Sequence, residues 1–386
     1  MSDKVRVGII GIGNMGSSHL RNYKEGKMPE IEITAVCDIK ADRLEWAEKE
    51  FPEIARFEKY DDVLESGLCD AILIAVPHYD HPPMAIKALK AGFHVMTEKP
   101  AGVYTKHVRE MNEVAESCDK VFGIMYNQRT NPMYRKAREI VQSGEYGELK
   151  RVNWLITDWF RTQAYYNSGG WRATWSGEGG GVLLNQCPHN LDLWQWICGM
   201  PVRVKAVCRV GQWHDIEVED DVTIYTEYEN GASGVFITTT GDCPGTNRLE
   251  ITLEKAKLIC EDSKLRMFVL ENNTKDIIYK SEEGFAKTDG EWQDIEYDNV
   301  GDQHSGVMNA FANKILRGGD LIAPGIEGIN GLTISNAAFL SSWLDKTIEL
   351  PIDEDLYYAE LKKRIDSSKA KENVVEKVNE DMSSTY

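Results

Sequence analysis

The feature that most constrains this chain is a glycine-rich segment, GIGNMG at residues 11–16, which directly follows a short apolar run. The run, residues 5–10, is typical of a buried parallel strand, and residues 17–24 can continue as a helix. In such a unit the first glycine permits a tight turn, the second lets a phosphate approach the backbone, and the third lets the helix pack on the strand. The predicted dinucleotide-binding residues are Gly11, Ile12, Gly13, Asn14, Met15 and Gly16.

An acidic residue favours this interpretation over the alternative of a glycine turn in an unrelated α/β domain. A second apolar run, residues 31–37, ends at Asp38, 22 residues beyond Gly16. A carboxylate at the tip of the second strand accepts hydrogen bonds from the adenosine ribose and repels the extra 2′-phosphate of NADP. Asp38 therefore predicts NAD as the cofactor, while Lys40 and Arg43 nearby keep NADP as the alternative.

Strand-like and helix-like segments alternate through the first third of the chain, which predicts a doubly wound parallel sheet. Beyond residue 126 several alternating strands predict a large, open and mostly antiparallel sheet, with one amphipathic helix near 182–198. The predicted domains are 1–126 for the Rossmann-type nucleotide domain, 127–366 for an α+β domain that binds substrate and mediates oligomerisation, and 367–386 for a charged tail. The predicted helices are 41–50, 83–91 and 105–117, and the predicted strands 70–76, 94–97, 121–126, 149–157, 222–228, 234–240 and the segment 248–261.

Composition excludes several classes of partner. A net charge of −18 argues against nucleic acid and against an anionic membrane surface. We expect a cytoplasmic protein, because the first strand follows the start of the sequence without a signal peptide and no apolar run reaches transmembrane length. The eight cysteines form no CxxC pair and are expected to be reduced thiols. The histidines form no HxH or HExxH grouping, so no metal site is predicted.

Four segments together resemble one protein family. They are GIGNMG, AVPHYDHPPMAIKALKAGFHVMTEKP at 75–100, GGGVLLNQCPHNLDLWQW at 179–196, and TIELP at 347–351. Across residues 4–355 or so the chain resembles the Gfo/Idh/MocA family of glucose–fructose oxidoreductase and inositol dehydrogenase. The resemblance implies NAD- or NADP-dependent oxidation or reduction at a hydroxyl carbon of a sugar or polyol, in a homodimer or homotetramer. It also implies cofactor contacts at Ala75, Pro77, His81, Glu98, Lys99 and Pro100.

Lys99 and His189 are the predicted catalytic residues. Hydride transfer from a carbinol carbon needs a group that takes the hydroxyl proton and a donor that holds the developing alkoxide. Lys99 follows a strand, at the sheet edge where ligands bind, and its alternative role is that of a surface lysine. His189 titrates near neutral pH, as a general base does, although a lone helical histidine is more often structural.

Further residues are predicted to bind substrate. Offsets of four and seven residues bring Asn185, His189 and Asp192 onto one helix face, with Pro188 near the helix start or at a kink. The family often has aspartate where this chain has Asn185, which weakens the case for a three-residue proton relay. Arg129 contacts either substrate or a carboxylate of the other domain. Six of the ten tryptophans, including Trp171, lie between 154 and 196, and with Arg172, Asp158 and Arg161 they suggest a pocket for a sugar ring.

Two other functions remain open at this stage. A glycosidase or lyase on the same fold would oxidise the sugar transiently and regenerate its bound NAD. A non-catalytic dinucleotide-binding protein would bind the cofactor without chemistry. Net formation of NADH with a free sugar separates the leading hypothesis, an NAD-dependent sugar or polyol dehydrogenase, from both.

Overall fold

A computed structural model describes residues 3–298, 301–371 and 374–375. Its first sheet contains six parallel strands in the order β3-β2-β1-β4-β5-β6, which confirms the doubly wound sheet. The strand order reverses beside β1, and ligands of such sheets bind at that point, outside the carboxyl ends of the strands. The strands are β1 Val5–Ile10, β2 Ile31–Cys37, β3 Ala55–Phe57, β4 Ala71–Ile74, β5 His94–Thr97 and β6 Phe122–Ile124.

Helices connect these strands, and the second, fourth and fifth match the predicted helices closely. The short β3 and the helix after it were not predicted, because segments of three and six residues carry too little periodicity to be recognised. The helices are α1 Asn14–Lys24, α2 Ala41–Glu50, α3 Tyr60–Glu65, α4 His81–Lys90, α5 Thr105–Glu116 and α6 Pro132–Gln142.

The second sheet has nine strands in the order β14-β13-β12-β11-β7-β10-β9-β8-β15. Its named strand pairs are antiparallel except β7 with β10, which confirms a mostly antiparallel sheet. The segment 248–261 forms two strands joined by a tight turn. The strands are β7 Leu149–Ile156, β8 Arg203–Val210, β9 Glu219–Glu227, β10 Ser233–Thr239, β11 Asn247–Leu253, β12 Ala256–Glu261, β13 Lys264–Leu270, β14 Gly290–Ile295 and β15 Ile348–Glu349.

The prediction for the helix near 182–198 was wrong in two respects. Helix α8, Pro188–Cys198, begins at its proline, after the one-turn helix α7, Gln163–Tyr166. Proline lacks the N–H that a preceding turn would need, so it occupies the first position of the helix. Residues 182–187 form turns instead, and Asn185 does not share a helix face with His189 and Asp192. The helix is also buried on nearly every side rather than amphipathic.

The last third of the chain adds four helices: α9 Thr274–Lys280, α10 Gln303–Arg317, α11 Gly328–Leu344 and α12 Glu354–Ser367. Helix α10 returns to the first sheet, where Val307, Met308 and Phe311 join the same apolar core as Ile9 and Met96.

The described part of the predicted tail lies against the loop after α7, with the ammonium of Lys371 donating to the carbonyl oxygen of Tyr166 at 2.7 Å. Residues 372–373 and 376–386 of that tail lie outside the described residues. No helix in the described ranges is long and apolar enough to cross a membrane.

Candidate active site

The glycine loop has the geometry that a bound pyrophosphate requires. Gly11 adopts a φ of +86°, and a Cβ there would collide with the carbonyl oxygen of Ala75 at the end of β4. Gly16 packs so closely on the loop that a Cβ would collide with the carbonyl oxygen of Gly11. A Cβ at Gly13, by contrast, would meet no atom within 4 Å. The loop is therefore tight where the protein packs on itself and open at Gly13, where a phosphate approaches, so these residues fit a dinucleotide.

Asp38 lies beside this loop, at the end of β2. Its two carboxylate oxygens accept hydrogen bonds from the backbone N–H groups of Ile12 at 2.8 Å and Lys40 at 2.9 Å. Arg43 donates to the carbonyl oxygen of Ile12 at 2.9 Å and to the Ser17 hydroxyl at 2.7 Å. The carboxylate and the guanidinium thus stand at the same end of the loop, where the ribose and its 2′ substituent would lie.

His81 ties together the ends of the two central strands. Its Nδ1 lies 2.7 Å from the carbonyl oxygen of Pro100 and its Nε2 lies 2.8 Å from that of Val76. Burial lowers the pKa of this imidazole, although both carbonyl contacts favour its charged form. The ring therefore holds the segment before Pro77 against the Lys99-Pro100 segment, whose peptide bond is cis.

A buried cluster of one acid and two histidines adjoins Lys99, since its acid is the preceding residue Glu98. The carboxylate of Glu98 is 2.8 Å from Nε2 of His19, and the ring of His304 meets the His19 ring edge-on at 5.5 Å. Burial disfavours the charged form of Glu98, but the hydrogen bond and charge of His19 outweigh it and lower the pKa of the carboxyl group. Among the residues with described positions, no three metal-ligating side chains are arranged to hold an ion.

Lys99 and His189 lie close enough to influence each other. The ammonium of Lys99 donates to the backbone carbonyl of Asn185 at 3.0 Å. Burial and then the charge of Lys99 lower the pKa of His189 well below 6.5, so the imidazole is neutral at neutral pH. Burial also lowers the pKa of Lys99, against the opposing effect of Glu98. The site thus combines a hydrogen-bond donor of reduced pKa with an uncharged imidazole.

The side chain of Asn185 turns away from the helix toward a buried carboxylate. Its amide nitrogen donates to Glu178, whose other oxygen accepts the backbone N–H of Ala173 at 2.5 Å. Its amide oxygen accepts from the hydroxyl of Tyr165 at 3.4 Å, and the same hydroxyl accepts from Arg172 at 3.1 Å. Burial raises the pKa of Glu178, and the charge of Arg172 opposes that shift. This chain therefore has a carboxylate in contact with the Asn185 amide, supplied from seven residues upstream.

Arg129 and Asp192 bind each other. The guanidinium donates two hydrogen bonds to the carboxylate, at 2.8 and 2.7 Å, and both side chains are 1% exposed. A third bond, at 2.5 Å, reaches Glu327 just before α11. This geometry gives Arg129 an ion pair within the predicted second domain, because Asp192 and Glu327 both lie in residues 127–366, so the ion pair expected with the other domain is not the one formed.

A cavity of about 150 Å³ lies beside His189, between α8 and the second sheet. Its polar lining comes from Gln128, Asp158, Trp159, His189, Asn190 and Asn247. Within the described part of the chain, the indole N–H of Trp159 and the side-chain oxygen of Asn190 are buried without a hydrogen-bond partner. A sugar hydroxyl has the donor and acceptor that these groups need.

The structure divides the tryptophans of residues 154–196 between the protein core and the candidate site, and three residues of that site were not predicted. Trp154, Trp175 and Trp194 are core residues, whereas the ring of Trp171 meets the His78 ring at 5.6 Å beside Arg172. The sequence analysis missed Glu178, Tyr165 and His304, which reach the site through loops or from α10. The stretch 165–181 is rich in glycine and aromatic residues, a composition typical of a loop bordering a site, and it was the one signal in the sequence for the first two.

Two family models match the chain. Residues 5–126 match the model described as "Oxidoreductase family, NAD-binding Rossmann fold", and residues 134–259 match "GFO/IDH/MocA C-terminal domain". Together they cover more than half of the chain. The protein belongs to the Gfo/Idh/MocA family.

Relatives within the Gfo/Idh/MocA family are distant. An inositol 2-dehydrogenase of Corynebacterium glutamicum is 27% identical over 235 residues, 60% of this chain and 66% of that protein. A "Glycosyl hydrolase family 109 protein" of Saccharopolyspora erythraea is 31% identical over 189 residues, 45% of this chain and 40% of its own length. The chain thus aligns with less than two thirds of the length of these relatives. The WlbA dehydrogenase of Bordetella pertussis, solved with NADH and UDP-GlcNAcA, shares the fold with a TM-score of 0.75 and 24% identity, over 91% of this chain and 100% of its own.

Proposed function

We propose that this protein is an NAD-dependent oxidoreductase that transfers a hydride between nicotinamide and a hydroxyl carbon of a sugar, glycoside or polyol. The observation that carries the proposal is that Lys99, bound to the carbonyl of Asn185, lies near enough to His189 to lower the pKa of its imidazole. Lys99 and His189 come from the first sheet and from α8, at the carboxyl edge of a sheet whose glycine loop fits a dinucleotide. Inositol 2-dehydrogenase, by its name a polyol dehydrogenase, supports the substrate class.

Each residue of the candidate site has a separate role in the proposed reaction. Bound NAD supplies the hydride acceptor, and the residues at 11–16 with Asp38 hold it. Lys99 donates a charge-assisted hydrogen bond to the reacting oxygen and stabilises the alkoxide that develops there. His189, neutral because of its burial, accepts the hydroxyl proton. Asn185, held by Glu178 and Tyr165, positions a neighbouring hydroxyl.

The test is a panel of sugars and polyols incubated with NAD, followed by absorbance of NADH and by mass spectrometry of the product. We expect net NADH and a product two hydrogens lighter than one member of the panel. The matched control is Lys99→Met, which should bind NADH and form product on the order of 100-fold more slowly or worse. NADH binding without turnover of any compound would contradict the proposal and favour a binding protein.

A second candidate is an NAD-dependent glycosidase or lyase, which the match to the glycosyl hydrolase family 109 protein favours. In that reaction oxidation is transient, so NADH does not accumulate and a glycosidic or C–O bond is cleaved. Aryl glycosides distinguish the two functions, because the second releases the phenol without net NADH and the first does not.

Self-association belongs to the same proposal. The outer face of the second sheet presents in-register rows of side chains, including Val207 beside Thr223 and Leu155 beside Ile237. Partly exposed apolar rows in a central sheet region suit a second copy of the chain, so we propose a homodimer or homotetramer. Light scattering that gave 43.7 kDa at micromolar concentration would contradict it.

All eight cysteines have free thiols, which agrees with the proposed cytoplasmic location.

A further inference from the structure

Two arginines share one tyrosine at the entrance of the candidate active site. The guanidinium of Arg172 lies 4.8 Å from the ring centre of Tyr165, and that of Arg161 lies 5.2 Å from it. Arg172 also donates to the tyrosine hydroxyl at 3.1 Å. Stacking on an aromatic ring fixes each guanidinium in place while its N–H groups remain directed outward from its edge.

Both guanidinium groups retain donors for a further partner. Arg172 makes one side-chain hydrogen bond, to Tyr165, and Arg161 makes one, to the neighbouring carbonyl of Phe160 at 2.9 Å. In the ranges that the structure describes, neither arginine forms an ion pair with a carboxylate. Each guanidinium has five N–H donors, so most of them are available to a ligand.

Contacts connect these arginines to the reactive groups. Tyr165 donates to the side-chain oxygen of Asn185 at 3.4 Å, and the ammonium of Lys99 donates to the Asn185 carbonyl at 3.0 Å. Burial lowers the pKa of Lys99 and Glu98 raises it, while the charges of Arg172 and Arg161 lower it further and that of Glu178 raises it. The buried acid Glu178, whose pKa burial raises and the charge of Arg172 lowers, uses its two oxygens for Asn185 and Ala173. Among the described residues, Arg172, Arg161 and Lys99 therefore carry positive charge near Glu98 and Glu178 without a direct ion pair to a carboxylate.

We propose that the sugar or polyol processed at this site carries an anionic group, a carboxylate or a phosphate monoester, which Arg172 and Arg161 bind. Guanidinium matches both anions through paired hydrogen bonds, and the approach of an anion offsets the mutual repulsion of the two arginines and Lys99. This inference rests on the proposed function and narrows its substrate class. The group lies away from the oxidised carbon, since Lys99 and His189 occupy that position.

The experiment compares matched substrates that differ only in charge. NADH formation is measured with glucose, glucuronate and glucose 6-phosphate, and with the corresponding galactose and mannose series. We expect kcat/KM for one anionic series to exceed that of its neutral parent by on the order of 100-fold, because hydrogen bonds to charged groups exceed neutral ones. The advantage should shrink as salt is added. The uronate and phosphate arms identify which anion is bound.

Two variants test the assignment to these arginines. Arg172→Gln and Arg161→Gln should each raise KM for the anionic substrate by on the order of 10-fold, with a smaller effect on kcat, and should raise KM for the neutral parent much less, so that the anionic advantage shrinks. The matched control is Arg266→Gln, which removes an arginine stacked on Trp292 at 5.3 Å in the outer strands of the second sheet and should leave KM unchanged.

The possible failures are distinguishable. If neutral sugars are oxidised as efficiently as their anionic partners, the inference is wrong and the proposed dehydrogenase stands. If the anionic advantage persists in both variants, the anion is bound elsewhere and the inference is again wrong. If no compound in the panel yields NADH although NADH binds, both the inference and the proposed function fail.

Discussion

Replacing Asp192 with asparagine tests how much the buried ion pair with Arg129 stabilises the fold. The carboxylate accepts two bonds from the guanidinium and a third from Gln195 at 3.0 Å, and both charged side chains are 1% exposed. Asparagine keeps the shape but removes the charge and one acceptor. Burial raises the pKa of Asp192 while Arg129 opposes that shift, so the charged carboxylate depends on its partner.

The magnitude follows from what Asp192→Asn leaves behind. Breaking a fully buried pair costs about 3–5 kcal/mol, because the remaining charge stays in the interior without compensation. Glu327 still contacts Arg129 at 2.5 Å but is 37% exposed, so it compensates only in part. We therefore expect the free energy of unfolding to fall by about 3 kcal/mol, at the lower end of that range. Urea denaturation followed by tryptophan fluorescence measures it.

Controls separate this structural role from substrate binding. Glu327→Gln removes the half-exposed partner and should cost about 1 kcal/mol or less. The double replacement Arg129→Met with Asp192→Leu removes both charges and should recover most of the loss. If Asp192→Asn changes stability by less than about 1 kcal/mol and instead raises KM, the reasoning is refuted and the carboxylate meets the substrate.

Three further outcomes are expected. Lys99→Met should lower kcat by on the order of 100-fold or more at unchanged NADH affinity in a fluorescence titration, and turnover within tenfold of the parent would contradict its role. Gly13→Val should weaken NADH binding without loss of thermal stability, whereas Gly16→Val should lower Tm, because only the second Cβ collides with protein atoms; unchanged NADH affinity in Gly13→Val would exclude this loop as the cofactor site. Because the pKa of His189 lies well below 6.5, kcat/KM for oxidation should show no His189-dependent fall between neutral pH and pH 6.5; a fall with a midpoint above 6.5 that disappears in His189→Gln would refute this.

The sequence predicted best what depends on neighbouring residues. The unit from β1 through the glycine loop to α1 is encoded by a continuous apolar run and by three glycines, each of which is required at its position for one steric reason. Helix α8 shows the limit, because the spacing of Asn185, His189 and Asp192 favoured one helix face while Pro188 set the actual start. The short strands β3 and β15 carried too few residues for a period to be visible.

Long-range contacts were beyond sequence reasoning. Glu178 lies in a loop that is held by Glu219 of β9 and by His78, and nothing in its neighbours indicated that it would bind the Asn185 amide. The partners Arg129 and Asp192 are separated by 63 residues, so their pairing depends on how α8 packs against the segment that follows β6. The family resemblance identified the individual residues of the site but not which of them bind one another.

The return of α10 to the first sheet bears on how the protein emerges from the ribosome. All six strands of the parallel sheet have been synthesised by residue 124. One apolar side of this sheet packs against Val307, Met308 and Phe311 of α10, which are synthesised roughly 180 residues later. At a synthesis rate of roughly 5–20 residues per second, this apolar surface stays uncovered for about 10–35 s before α10 has been made. During this interval the nascent nucleotide domain presents an apolar surface to other chains. A fragment that stops near residue 126 would retain that exposure permanently, whereas linking residues 303–317 to its end would restore the missing cover.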